Sequence, residues 1–170
     1  MDRLLKQAEL FEGLDDEGIR RVADIGRYKA LRAGEYLFLL GEDAANFYVV
    51  IRGKVNLCFP MPLGGEVKDI TVESVGEGQA LGWSALVKPY RFTLSARATE
   101  PTDVVSFPRR SLMDLFDAEP RLGHLFFMRL SELIGVRLET FQALWARELQ
   151  RLVERSSEGQ GRPMASKARV

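Results

Sequence analysis

The chain has one cysteine, Cys58, and one histidine, His124. A single thiol closes no internal disulfide, and one imidazole with no cysteine or carboxylate partners at ligand spacing argues against zinc and iron sites. The same scarcity removes the Ser-His-Asp and Cys-His arrangements of nucleophilic catalysis, because His124 falls on a long helical stretch away from the other polar candidates. An excess of charge is missing too. Lysine plus arginine, 24 residues, balances aspartate plus glutamate, also 24, so no global field draws the chain toward nucleic acid or an anionic membrane. A long hydrophobic run is also absent from the start, where Asp2, Arg3, Lys6 and Glu9 break up any signal peptide or membrane span. These absences lead us to expect a non-enzymatic, metal-free protein of the cytoplasm, with no membrane partner.

What is present suits one compact domain: 170 residues, 46% of them hydrophobic and 28% charged. Leu4, Leu5 and Ala8 share one side of a short opening helix, and Gly13 breaks its periodicity. Asp15 and Asp16 stand where they cap a second helix, whose apolar positions Ile19, Val22, Ala23 and Ile25 run up to Gly26.

From Tyr28 to Phe107 the character changes to short β-rich runs. They are Glu35 to Leu40, Asn46 to Arg52, Lys54 to Pro60, Glu66 to Val75, Arg91 to Ala98 and Thr102 to Phe107, with glycine-containing turns between them. Arg52-Gly53-Lys54 reads as a tight turn with a positive φ at the glycine, and Pro62-Leu63-Gly64-Gly65 as a hairpin tip. Many short strands at this spacing predict an antiparallel roll or barrel.

After Pro108 the pattern becomes helical, first over Ser111 to Ala118 and then from Pro120 to about Arg155. Pro120 suits the first turn, where its missing amide hydrogen costs nothing. Phe126, Leu130, Leu133, Ile134, Leu138, Phe141, Leu144, Trp145, Leu149 and Leu152 keep three- and four-residue steps along this run. One alternative is that the whole stripe packs on its own roll. A helix of this length outruns a compact roll, however, so the stripe predicts a homodimer through Leu130, Leu133, Ile134, Leu138, Phe141 and Trp145. From Ser156 onward apolar periodicity is lost, which predicts a domain over 1–155 and a disordered tail over 156–170.

The run from Gly41 to Val55, Gly-Glu-Asp-Ala-Ala-Asn-Phe-Tyr-Val-Val-Ile-Arg-Gly-Lys-Val, preceded by Ala33-Gly34-Glu35, resembles the strand-turn-strand signature of cyclic-nucleotide-binding domains. With the flanking helices the likeness covers residues 1 to about 155 and is similar to the sensor half of the catabolite activator (Crp/Fnr) family and to regulatory subunits of cyclic-AMP-dependent kinase. It implies an α+β fold, with an antiparallel β-roll of the double-stranded β-helix or jelly-roll type between short N-terminal helices and a long C-terminal one. It also implies a phosphate-binding cassette, a short helix between two strands that reads roughly Gly-Glu-x-Ala-Leu and then Arg-x-Ala-Thr/Ser-Val-x-Ala.

The matching stretch here is Gly82-Trp83-Ser84-Ala85-Leu86, then Arg91-Phe92-Thr93-Leu94-Ser95 and on to Ala98. Gly82, Ala85, Leu86, Ser95 and Ala98 fall in register, but Trp83 stands at the family glutamate and Phe92 at the family arginine. In the family the glutamate accepts the ribose 2′-hydroxyl, the arginine supplies a cation for the cyclic phosphate, and helix-end amides face that phosphate. At about 1.5 to 3 kcal/mol per charged hydrogen bond, losing both costs about 3 to 6 kcal/mol, or roughly a hundredfold to ten-thousandfold in affinity.

The expected function is therefore a regulatory or sensor domain that does not read cyclic AMP or cyclic GMP in the usual way and passes its signal to an effector protein that the sequence does not identify. Three readings of the pocket stay open. It can persist with a different taste, with aromatic walls and the hydroxyls of Ser84, Thr93 and Ser95 facing another small ligand. It can still take a cyclic nucleotide through Arg91 and the cassette amides, although strand alternation turns Arg91 away from Phe92. Or Trp83, Tyr90 and Phe92 fill it, leaving a structural dimerisation module. His124 carries no haem motif and reads as an ordinary helix residue, and Cys58 as a small buried hydrophobe. Some relatives read DNA with a helix-turn-helix after the long helix. The roughly fifteen polar residues after Arg155 are too few for one, so no direct DNA contact is expected.

Overall fold

In the computed structural model the backbone is described over residues 2–159 and side chains over 4–155. The chain divides after Leu130 into two units. In the first, helix α1 (Asp2–Leu5) and a single 3-10 turn (Glu9–Phe11) lead to helix α2 (Asp16–Ile25). The expected cap is present: the Asp15 carboxylate accepts a hydrogen bond from the Gly18 amide at 2.8 Å, which pairs one of the donors that a helix start leaves open. Ile19, Val22 and Ala23 form the buried face of α2.

Eight strands follow: β1 (Arg27–Leu31), β2 (Tyr36–Phe38), β3 (Asn46–Arg52), β4 (Val55–Leu63), β5 (Glu66–Val75), β6 (Ala80–Leu81), β7 (Ser95–Ala98) and β8 (Thr102–Pro108). They pair antiparallel throughout, in two four-stranded sheets of order β1-β8-β3-β6 and β2-β7-β4-β5. This is the antiparallel roll expected from the spacing of the strands.

Two turns depend on glycine. Between β3 and β4, Gly53 has φ +88°, and a Cβ there would lie 2.6 Å from the Thr102 hydroxyl and 2.7 Å from the Pro101 carbonyl. At the β4–β5 tip, Leu63 pairs with Glu66 while Gly64 and Gly65 both have positive φ, the geometry of a two-residue type I′ turn.

Helix α3 (Arg109–Ala118) and the start of α4 (Pro120–Gly159) close the first unit. Phe11, Phe47, Phe107 and Phe126 are fully buried, with ring centroids 6.0–6.2 Å apart. Such separations favour edge-on and tilted aromatic packing. Leu122 and Leu130 are buried on the same helix as Phe126.

Leu130 must therefore be taken off the expected dimer face. It is 4% exposed and belongs to the core of the first unit, whereas the apolar positions from Leu138 onward are exposed. In the second unit α4 runs on to Gly159, four residues beyond the expected boundary at Arg155. Of the expected tail, residues 160–170 lie outside the described part of the chain.

Strands β1 and β6 are not among the runs expected from the sequence, β6 being too short to show a hydrophobic period. The 3-10 turn over Trp83–Ala85 falls where the resemblance implies a short helix. The strand expected over Arg91 to Ala98 forms only from Ser95. Before it, the backbone of Tyr90 and Phe92 bonds sideways to Gly41, Glu42 and Ala44 instead of extending the sheet.

Candidate functional site

The stretch that the resemblance matches to the cassette, called the cassette below, leaves the roll at β6. Gly82 follows in the left-handed region (φ +77°) and starts the 3-10 turn Trp83–Ala85. Its backbone needs glycine for two reasons: an L-residue is strained at that φ, and a Cβ would sit 3.1 Å from the Tyr48 ring and 3.4 Å from the Phe92 ring. Ser84, Ala85 and Leu86 are buried and Trp83 is half-buried.

The return limb is tied to the segment before β3. The Gly41 amide donates to the Phe92 carbonyl at 2.8 Å, the Phe92 amide to the Glu42 carbonyl at 3.1 Å, and the Ala44 amide to the Tyr90 carbonyl at 2.8 Å. Tyr90 has φ +60°, an uncommon conformation for a bulky residue that surrounding contacts must hold. The Arg109 guanidinium supplies one such contact, stacking 4.4 Å from the Tyr90 ring centroid while its Nη1 donates to the Ala44 carbonyl at 3.0 Å. Asp43 lies 3.8 Å from the same guanidinium.

These ties set the direction of each side chain. Arg91 is exposed, and its Nη1 donates to the Gly41 carbonyl at 2.8 Å. Phe92 points the other way, 5% exposed, and lies flat on Phe38 with ring centroids 3.6 Å apart and planes 10° apart. Phe38 in turn stacks on Tyr48 at 5.7 Å. Burial raises the Tyr48 phenol above its ordinary value, against a smaller opposing effect of the bond to Asn46, so this third ring stays neutral.

The other expected site residues are dispersed. Thr93 is exposed and Leu94 half-buried. The Ser95 hydroxyl accepts the Leu40 amide at 3.0 Å and so helps hold the loop before it. Within 82–98 the cations are Lys88, Arg91 and Arg97, and all three are exposed. Beside Gly82 the chain thus places stacked rings, with no guanidinium among them.

Phe38, Tyr48 and Arg109 belong to this site, although sequence reasoning did not assign them to it. Strand alternation could have brought Phe38 inward, but Phe47 through Val50 are all buried, so alternation has no signal at Tyr48. The contact of Arg109 with Tyr90 joins residues nineteen apart (109 minus 90) with no shared period.

Cys58 is buried, which raises its thiol above the ordinary value. His124 is exposed on α4. Among the described residues no helix is long and apolar enough to cross a membrane.

A family model of the cyclic nucleotide-binding domain matches residues 28–119. The chain is 28% identical over 134 residues to the cyclic AMP receptor protein of Thermus thermophilus, a match that covers 79% of this chain and 59% of that protein. It is 31% identical over 127 residues to human patatin-like phospholipase domain-containing protein 6, covering 69% of this chain and 9% of that one. The chain thus spans about three fifths of the length of the first relative and a small part of the second. A solved structure of a Geobacter metallireducens protein of the cyclic nucleotide-binding type superposes with a TM-score of 0.68 at 28% identity, covering 81% of this chain and 97% of that one. With an antiparallel roll and a family match running from Tyr28 to Glu119, this chain belongs to the cyclic nucleotide-binding domain family.

Proposed function

We propose that this chain is a non-enzymatic regulatory domain in which the side chains of the cassette itself take the place of a cyclic nucleotide. The observation that carries this reading is the Phe38–Phe92 stack, with 3.6 Å between centroids. Phe92 stands where the family pattern has its arginine, and its ring fills space beside Gly82 that a phosphate would need.

The remaining polar groups support the same reading. Arg91 spends a donor on the Gly41 carbonyl, and turning it inward would break that bond and the backbone ties of its neighbours. Trp83, at the family glutamate position, has an indole N–H that donates but no oxygen to accept a ribose hydroxyl. The Ser95 hydroxyl already accepts the Leu40 amide.

The exposed part of α4 supports a homodimer, with Leu138, Phe141 and Trp145 meeting a second copy. Output then passes from the dimer to an effector protein. A domain closed in this way signals by its presence and assembly, without a nucleotide to switch it.

Thermal unfolding with and without cyclic AMP and cyclic GMP at millimolar concentration tests the closed cassette. A ligand present at a hundred times its dissociation constant adds about 2.7 kcal/mol. The expected result is an unchanged midpoint with either nucleotide. A saturable rise that disappears in Arg91→Ala would establish the alternative, a working nucleotide site built on Arg91.

A further inference from the structure

A polar recess lies away from the cassette, on the outer side of the β2-β7-β4-β5 sheet. Its volume is about 480 Å³, and Gly34, Asn56, Cys58, Asp69, Thr71 and Arg97 contribute to its wall. Register brings them together. Asn56 faces Arg97 across β4 and β7, Cys58 faces Thr71 across β4 and β5, and Tyr36 faces Arg97 across β2 and β7. Ala96 and Ala98 are buried in the roll, so alternation along β7 turns Arg97 to the opposite face.

Arg97 is held in place on two sides. Its Nε donates to the Gly34 carbonyl at 3.0 Å, and its guanidinium carbon lies 5.4 Å from the centroid of the Tyr36 ring. The Tyr36 hydroxyl donates to Oδ2 of Asp69, which fixes that carboxylate beside the recess. Among the described residues nothing accepts from Nη1 or Nη2 of Arg97, and nothing donates to Oδ1 of Asp69. A guanidinium whose Nε is occupied presents its two terminal nitrogens as a planar fork, which matches the two oxygens of a carboxylate.

We propose that this recess binds a small carboxylic acid carrying a hydroxyl or amino group, with the carboxylate on the Arg97 fork and the donor on Asp69. At about 480 Å³ the recess has room for such an acid. Asp69 sets the selectivity. It repels a phosphate dianion brought to Arg97, whereas a singly charged acid with a donor gains a contact at each end. The site is independent of the closed cassette and stands whether or not that reading holds.

L-lactate and L-serine are suitable probes for the 170-residue chain labelled with nitrogen-15. Titration should move the Arg97 Nε–H and Asn56 side-chain amide resonances along saturable curves, with a Kd on the order of 1 mM. Arg97→Lys keeps the charge and removes the fork, so it should abolish saturation. Asp69→Asn should weaken both probes at least about tenfold, the loss of one hydrogen bond to a charged group. Both side chains lie on the outer face, and an unchanged melting midpoint shows that each variant is folded. Shifts that never saturate, shifts that persist in Arg97→Lys, or inorganic phosphate binding as tightly as lactate would each overturn the assignment.

Discussion

Phe92 is the residue at which family pattern and local chemistry part company. A guanidinium at this place needs an anion or a ring of acceptors, whereas a phenyl ring needs apolar neighbours, and Phe38 supplies one face to face. Phe92 therefore sets what the inside of the roll requires at this place, and on the proposed reading also what it can bind. Removing the ring would leave Phe38 without its stacking neighbour, beside a glycine whose positive φ strains any side chain. Phe92→Ala should lower the unfolding free energy by about 3 to 4 kcal/mol, in the range for deleting a buried phenyl group. Urea denaturation reads this directly, and a loss below about 1 kcal/mol would mean that the ring is not packed as described. Arg91, one residue away, is free of that constraint because its own contact is a carbonyl on the surface.

At the scale of elements, short-range chemistry decides where helices begin. Asp15 closes the N-terminus of α2 through the Gly18 amide. Glu17 and Arg21 add an exposed pair on the next turn, and hydrogen bonding to Arg21 lowers the Glu17 carboxyl below its ordinary value. Asp15→Ala should cost about 1 kcal/mol, as expected for a lost N-cap, while Asp15→Asn, which keeps the acceptor, should cost little. Thermal unfolding of the two variants checks this, and equal losses would show that the charge matters more than the cap bond. The cassette follows other rules. Its 3-10 turn is closed by its own bonds, from the Ala85 amide to the Gly82 carbonyl and from the Leu86 amide to the Trp83 carbonyl, while the return limb is held by the segment 41–45 and by Arg109 at the start of α3.

At the scale of the whole molecule the apolar residues of α4 divide at Leu130. Up to it they complete the core of the first unit. Beyond it, Leu138, Phe141 and Trp145 are 53%, 55% and 60% exposed, the kind of exposed apolar surface on which the proposed pairing rests. The proposed pairing predicts a dimer by light scattering at micromolar concentration. Leu138→Glu combined with Phe141→Glu should give monomers whose roll unfolds at an unchanged temperature. A dimer that persists in this variant would move the interface elsewhere.

Several features were legible in the sequence because they are local. The strands Asn46–Arg52 and Glu66–Val75, the Asp15 cap and the glycine turns at Gly53 and Gly64-Gly65 all follow from side-chain type and spacing within a few residues. So does the departure of the cassette from its family pattern, since Trp83 and Phe92 can be read in register. Tertiary structure decided which groups meet. Only the folded roll brings Phe38 against Phe92, Arg109 over Tyr90 and Arg97 into the same recess as Asp69, because each pair joins elements distant in the chain. It also decided where the stripe on α4 stops being core. The same three- and four-residue steps continue past Leu130, and burial depends on what lies opposite a helix face, which periodicity along one chain does not record.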